Sequence, residues 1–499
     1  MKDTLLKPLL LLVTLVVSGQ FGLSQANANQ PAVEPQGSVS SGTVGPQDAA
    51  LYSAAAREGE KYLNDSIPAR WEYEPQNVMT TPSQDPWWNS FGDPTLTELI
   101  RRAVDNNYNV LVAQQRIESA RQMWRQSKAA YWPTVGLNAG WTKSQQSGRI
   151  ASSPTPSTRM DYFTLGLSMN WELDVFGRIT AQAKAEKAQY QASIADYDAT
   201  LVSLCSNVAR AYFQLRMAQA EIKVAQANIA TQDSLLKIAN IRYECGLVAQ
   251  VDVVQAQIVV AQTQSTLPPL NATVATSINE IAVLLGVYPD EVKELLTPRK
   301  LPEAPPLTVS CDPSQLLRRR PDIVGAERQI AYYAAMLGVA KKDFLPALEL
   351  RATAATESHN LKNMFGSHSF SYSIMPTLTW TVFDGFARSA KVAAAKADLQ
   401  AEIDTYNQSV ITAVQEVNNA MVDYETVVQR LALERQLLKF SVRELELQVD
   451  RYTQGLTDYY NVAQALINVL QYQNNVTELQ ASELTGIVSI YTALGGGWD

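Results

Sequence analysis

Between Ser389 and Gln454 the chain contains neither proline nor glycine, and apolar residues return there at every seventh position: Val410, Val417, Tyr424, Leu431, Leu438, Leu445 and Tyr452. A second row, Tyr406, Ala413, Ala420 and Val427, interleaves with the first. That pattern is the seam of a helix packed lengthwise against another helix. At ~1.5 Å per residue it predicts a rod about 100 Å long. A globular domain of this size has no interior so deep, so the helix must project from it.

The feature occurs twice. Tyr197, Leu204, Ala211, Ala218 and Ala225 interleave with Leu201, Val208, Leu215, Ile222 and Ile229, again in steps of seven. Both predicted helices stop at nearly the same words, RYECGL from Arg242 to Leu247 and RYTQGL from Arg451 to Leu456. The offset is 451 − 242 = 209, and the two tryptophans Trp171 and Trp380 give 380 − 171 = 209 again. Such a period outranks other sequence signals. It predicts one unit written twice, a first half over 86–286 and a second over 316–499, joined by a proline-rich linker over 287–315.

The N-terminus supplies the compartment. Lys2 and Lys7 precede an apolar core from Leu9 to Val17, and Ala26-Asn27-Ala28 follows. This predicts a secretory signal over 1–28, and 29–85, rich in Pro, Gly, Ser and Gln, reads as an extended lead-in. No other stretch reaches ~18 apolar residues, so a membrane-embedded form would have to use strands. A net charge of −8 with no basic, aromatic-interleaved cluster argues against a nucleic-acid partner. The run Arg318 to Arg320 reads as a source of local ion pairs. Cys205, Cys245 and Cys311 are too few for a disulfide framework. Cys205 and Cys245, about 60 Å apart along one helix, cannot pair within it.

In chain order, Pro86-Trp87-Trp88 and Phe91-Gly92-Asp93-Pro94 introduce a helix predicted to run unbroken from Leu96 to about Ala130. Alternation of period two follows. Val135, Leu137, Ala139 and Trp141 form one row, and Phe163, Leu165, Leu167, Met169 and Trp171 form the next, with a polar loop between them. After a second helix from Arg320-Pro321-Asp322 to Pro346, Leu348, Leu350, Ala352 and Ala354 alternate with polar neighbours. Phe370, Tyr372, Ile374, Leu378, Trp380 and Val382 do the same. The β-hairpins are placed at 134–172 and 347–382, and their strands are long enough to cross a bilayer at a tilt. Pro376 in the fourth strand lacks an N–H and predicts a bulge. The long helical hairpins are placed at 178–285 and 389–494, with a kink or break at Pro268-Pro269. A soluble sandwich would also alternate, but would not normally join strands to helices of this length behind an export signal.

Chemistry is hard to find. The two histidines, His359 and His368, both fall in the second polar loop, and there is no phosphate-binding loop, nucleophile elbow or Cys-x-x-Cys. No enzyme activity, metal or cofactor is predicted. A channel and a coiled-coil scaffold remain. Four strands are too few to close a barrel, so transmembrane strands would require several chains around a common axis, and such an assembly is a conduit.

Trp87-Trp88 with FGDPTL, WELDVFGR from Trp171, RYECGL with Asp252, LLRRRPDI from Leu316, RYTQGL and the terminal LGGGW from Leu494 occur in one order over residues 86–499. As a set they resemble the outer-membrane efflux proteins, the TolC/OprM-like channels, in the branch that serves resistance-nodulation-division pumps. The resemblance implies a mixed α and transmembrane β fold. In it a homotrimeric outer-membrane barrel, four strands per chain, continues into a long α-helical periplasmic barrel. It implies cofactor-free passage of small molecules from a periplasmic adaptor and an inner-membrane pump to the exterior of a Gram-negative cell, with outer-membrane lipid around the strands. A type I peptide or protein secretion channel is the alternative. Many relatives carry a lipidated cysteine after the signal; this chain has none before Cys205, so lipid anchoring is not predicted.

Two sets of site residues follow. Gly246, Leu247, Asp252, Gly455 and Leu456 lie at the turns ending the long helices, and the repeated leucine, which turn geometry does not require, predicts contact with the adaptor. Tyr452, Asp458, Tyr459, Tyr460 and Gln464 are the candidates for the periplasmic aperture. Some relatives use an Asp–Arg network there, at positions that read Gln464 and Ile467 in this chain. A resting state closed mainly by aromatic packing is the expectation.

Overall fold

The computed structural model describes residues 86–145, 159–306 and 319–496. The signal segment, the 29–85 lead-in, most of the first polar loop, Cys311 with the end of the linker, residues 316–318 of LLRRRPDI and Trp498 lie outside the described residues. A 3-10 turn at Trp87–Phe91 precedes α1 (Pro94–Asn106) and α2 (Tyr108–Ala129), which lead to β1 (Thr134–Gln145) and β2 (Arg159–Leu173). The long helix α3 (Arg178–Glu244) returns as α4 (Gln250–Ser265) and α5 (Leu267–Leu285), followed by the short α6 (Pro289–Val292). The second round comprises α7 (Pro321–Lys342), β3 (Ala347–Ser358), β4 (Phe370–Thr379), α8 (Ala387–Thr453) and α9 (Tyr459–Ala493). No described helix is long and apolar enough to cross a membrane.

α3 and α8 are each 67 residues long. Their starts differ by 387 − 178 = 209 and their ends by 453 − 244 = 209. Before the hairpins the offset is larger: α2 and α7 end 342 − 129 = 213 apart, and β1 and β3 begin 347 − 134 = 213 apart. The seam residues do what their spacing demands. Val410, Ala413, Val417, Leu431 and Tyr452 are buried on α8, as are Leu204, Val208, Ala211, Leu215 and Ala218 on α3. Truncating one such leucine, Leu215→Ala, costs about 3 kcal/mol. The largest cluster gathers Trp87, Phe91, Leu96, Tyr212, Phe213, Ile281, Val417 and Ile487 midway along the long helices, where Trp87 stacks on Tyr491 at 5.9 Å.

One continuous helix from Leu96 to Ala130 is not what forms. The rod breaks at Asn107, whose backbone is extended (φ −64°, ψ 124°). Its side-chain oxygen accepts from the N–H groups of Asn109 and Val110, starting α2 afresh. Its Nδ2 donates to the Leu284 carbonyl at 2.8 Å, closing the end of α5. Arg320 plays the same part in the second round: Nη1 donates to the Ala493 carbonyl at 2.8 Å. Arg320 also forms 2.7 Å ion pairs with Asp322 and with Glu416 on α8, the local pairing anticipated for the arginine run. Both knots sit against a left-handed glycine, Gly286 (φ 70°) and Gly495 (φ 67°). A Cβ on Gly495 would come within 2.8 Å of the Arg320 Cα. The prolines at 268 and 269 behave as predicted: α4 stops at Ser265, and α5 carries proline in its first turn, where the missing N–H costs nothing.

The four strands form one antiparallel sheet in the order β1-β2-β3-β4, so β1 and β4 are open edges. Two details differ from the sequence reading. β4 ends at Thr379, not Val382, because the chain turns there and the Trp380 indole N–H donates to the Phe344 carbonyl at 3.0 Å. Pro376 makes no bulge, since the register Glu349↔Thr377, Leu350↔Pro376, Arg351↔Met375 is unbroken. Glu357 N–H donates to the Ser369 carbonyl at 2.8 Å. Antiparallel pairs alternate between bonded and non-bonded, so Leu350↔Pro376 is a non-bonded pair and the proline nitrogen faces the open edge. Val135, Leu137 and Trp141 on β1, with Tyr372, Ile374 and Leu378 on β4, leave an apolar row uncovered by the chain itself.

Candidate functional site

The helical tips hold most of the predicted site residues, and the backbone there is built twice over. At the end of α3 the Leu247 N–H donates to the Arg242 carbonyl and Gly246 N–H to Tyr243; at the end of α8, Leu456 N–H donates to Arg451 and Gly455 N–H to Tyr452. This double closure requires a left-handed residue, and Gly246 (φ 72°) and Gly455 (φ 76°) supply it. It does not require leucine next. Leu247 and Leu456 are nonetheless 68% and 64% exposed, apolar and pointing out of the tip.

Behind the turns a small core joins the two hairpins: Leu235, Ala239, Val253, Ala256, Tyr452, Tyr459, Val462 and Leu466. Tyr452 and Tyr459 meet edge to face at 5.5 Å and are 1% and 0% exposed. In this conformation, and in this single chain, the two fill the space between helices. Their hydroxyls are buried with no hydrogen-bond partner among the described residues. Burial pushes the Tyr459 phenol up to about 12, with Tyr452 adding to the shift, and burial also raises Tyr452. Both stay neutral at physiological pH. Asp458, Tyr460 and Gln464 lie on the surface. Tyr460 is 60% exposed, and the Gln464 amide donates to Asn468 at 3.1 Å.

Asp252 is the buried acid of the tip. Burial raises its carboxyl above the ordinary aspartate range and the charge of Asp458 raises it further, against opposing pulls from Arg242 and the Tyr459 N–H. That amide belongs to the first turn of α9, whose own N-cap residue Asp458 makes no side-chain cap bond. A carboxylate from the first hairpin thus sits at the start of the returning helix of the second.

The sequence reading missed Arg242. Its Nη1 donates to the Thr453 carbonyl at 2.8 Å, and its guanidinium lies over the Tyr452 ring at 4.8 Å. It bridges the end of α3 to the end of α8. The sole sequence trace is its place in the repeated Arg-Tyr word, and the copy at Arg451 is exposed.

A family model described as outer membrane efflux protein matches residues 99–287 and 313–496. The chain is 29% identical over 417 residues to the solvent efflux pump outer membrane protein SrpC of Pseudomonas putida, covering 82% of this chain and 87% of the relative. It is 28% identical over 422 residues to the outer membrane protein OprJ of Pseudomonas aeruginosa, covering 83% and 86%. The solved structure of the outer-membrane channel OprN superposes with a TM-score of 0.81 at 30% identity, covering 87% of this chain and 98% of that one. With its long helices, its edge-open sheet and these matches, the chain belongs to the outer membrane efflux protein family.

Proposed function

We propose that this chain is the outer-membrane exit duct of a tripartite efflux system. It would work as a homotrimer, taking small toxic compounds from a periplasmic adaptor and an inner-membrane pump of resistance-nodulation-division type. The observation that carries the reading is a four-stranded sheet with two open edges and an uncovered apolar row, joined directly to two 67-residue helices. Three copies supply twelve strands, enough to close a barrel and abolish every edge. Lipid then covers the apolar row, and the long helices extend the wall into the periplasm. The 209- and 213-residue offsets support a duplicated unit, halves 86–286 and 316–499, as the source of this wall. The relative SrpC is named as part of a solvent efflux pump, which favours small molecules over secreted peptides, and solvents are the substrate class to test first.

The tips would be the regulated end. Leu247 and Leu456 form the adaptor contact, and Asp458, Tyr460 and Gln464 face the aperture. The Arg242, Tyr452, Tyr459 and Asp252 cluster holds the two hairpins together behind them. Two buried hydroxyls without partners cost about 1–3 kcal/mol each, which keeps this packing weak enough to be undone by a docked adaptor. The test combines a cell assay with a biochemical one. Deleting the gene should sensitise its host to solvents and raise retention of a fluorescent dye, and the detergent-solubilised protein should have the mass of three chains. Unchanged retention with the pump and adaptor present refutes the efflux role. Tyr460→Ala should raise bilayer conductance without the pump; no change removes the aperture from this position.

A further inference from the structure

Among the described residues one residue other than glycine has a positive φ. Phe386 (φ 69°, ψ 12°) is the residue that starts α8. A side chain in this left-handed region is disfavoured, and glycine is the residue that adopts it freely. At the start of α3, 386 − 177 = 209 residues earlier, stands Gly177 in the same conformation (φ 74°, ψ 26°). The second round thus keeps a phenylalanine where the first uses glycine, and nothing within the chain covers it. Phe386 and its neighbour Phe383 touch at 5.9 Å, and each is 75% exposed.

What Gly177 faces shows what Phe386 is for. A Cβ on Gly177 would point at Lys342, 3.2 Å from its Nζ, and that Nζ donates to the Gly177 carbonyl at 2.8 Å. So the β2–α3 turn lies against the end of α7. The counterpart of Lys342 is Ala129, since α7 ends at Lys342 and α2 at Ala129. The same pair of offsets is already visible in a bond made twice. Trp171 Nε1 donates to the Tyr131 carbonyl at 2.9 Å and Trp380 Nε1 to the Phe344 carbonyl at 3.0 Å, with 380 − 171 = 209 and 344 − 131 = 213. The chain's own Ala129 leads into β1, at the opposite edge of the sheet from β4, so it cannot be the neighbour of Phe386.

We infer that Phe386 packs on Ala129 of the partner subunit and locks consecutive copies together at the base of the barrel. This rests on the closed three-copy barrel proposed above, which brings β4 of one copy beside β1 of the next at their periplasmic ends. The two contacts are size-complementary. Inside the chain a glycine meets a lysine; between copies a phenylalanine meets an alanine, the ring filling the volume that a lysine stem fills in the other. Ala129 is exposed in the single chain, as is Trp132 three residues on. The contact also accounts for a side chain held at a backbone conformation that glycine would adopt at lower cost.

The test uses the full-length protein with Cys205, Cys245 and Cys311 replaced by serine. Phe386→Cys combined with Ala129→Cys should be joined between copies by a short bis-maleimide whose reach matches an extended lysine side chain. It should give a dimer and trimer ladder on denaturing gels that neither single cysteine gives. In the native background, Phe386→Gly relieves the left-handed strain, so a purely local role predicts an assembly as resistant as the parent or more so. The intersubunit contact instead predicts loss of the trimer at a temperature where the parent trimer persists. Adding Ala129→Lys to Phe386→Gly should recover it by rebuilding the in-chain pair. A parent that fails to form trimers under a general lysine cross-linker overturns the assembly and this contact together. A parent trimer with no cysteine ladder and an undiminished Phe386→Gly trimer overturns the contact alone.

Discussion

Replacing Arg242 by alanine should loosen the periplasmic tip and raise resting leak. The side chain makes one charge-assisted bond, Nη1 to the Thr453 carbonyl at 2.8 Å, and one ring contact, 4.8 Å from Tyr452. A hydrogen bond to a charged donor contributes about 1.5–3 kcal/mol and an exposed cation–π contact about 0.5–1 kcal/mol. Against these stands the buried Nε, which has no partner and is relieved by the substitution. The net loss is about 2 kcal/mol per chain, or roughly 30-fold in the balance between joined and parted tips. If three tips part together the terms add to about 6 kcal/mol, roughly 3 × 10⁴-fold. The assay is open probability of the purified protein in planar bilayers without adaptor. Arg242→Lys keeps the charge but loses the planar stack, and should fall between the parent and alanine. Arg451→Ala removes the exposed counterpart and should change little. Equal effects from Arg242→Ala and Arg451→Ala, or no rise with either, would refute the bridge.

Three further outcomes follow from the geometry. The Asp252 carboxyl titrates above its ordinary value in the folded tip, so its contribution to tip stability is present at low pH and lost as pH rises through that raised value. Conductance should therefore fall on acidification from neutral pH, and Asp252→Asn should abolish that dependence in a pH series. Arg320→Ala releases the Ala493 carbonyl, Asp322 and Glu416 at once. Because both carboxylates are about half exposed and regain water, the cost should be about 3 kcal/mol, read as a lower melting temperature, and Glu416→Gln should cost less. Gly455→Ala puts a side chain into a left-handed turn where no atom lies closer than 3.7 Å, so strain alone acts, about 1–2 kcal/mol. Amide exchange should then speed up at the α8–α9 turn and nowhere else.

The sequence was a good guide wherever a pattern was long. The seven-residue rows over 197–229 and 406–452 fall wholly inside α3 and α8, because seam burial over so many turns leaves no alternative placement. The same rows held a warning about the aperture. Tyr452 is itself a member of the α8 row, so it was marked as interior by the pattern that revealed the helix, whereas Tyr459 opens α9 beyond the Gly455 turn and the row says nothing about it. Short-range features were harder to read. Asn107 caps α2 locally through Asn109 and Val110 but is anchored by a bond to Leu284, and the end of β4 is anchored by a bond from Trp380 to Phe344; no local propensity encodes either distant partner. Arg242 was invisible for the same reason, since it recognises a backbone carbonyl 211 residues away.

The proline in β4 has a consequence for the time before assembly. A freshly exported copy carries two unpaired strand edges, and a flat run such as Phe370–Thr379 could serve as a template for the wrong neighbour. With the nitrogen of Pro376 turned outward, any strand that zips onto this edge meets a position with no hydrogen to give, and one of its carbonyls goes unanswered. Two β4 strands joining head to tail would meet that gap twice, whereas β1 of the next copy in the proposed barrel meets it once. The residue that weakens the seam of the proposed barrel by one bond thereby makes misassembled pairs less durable than that barrel.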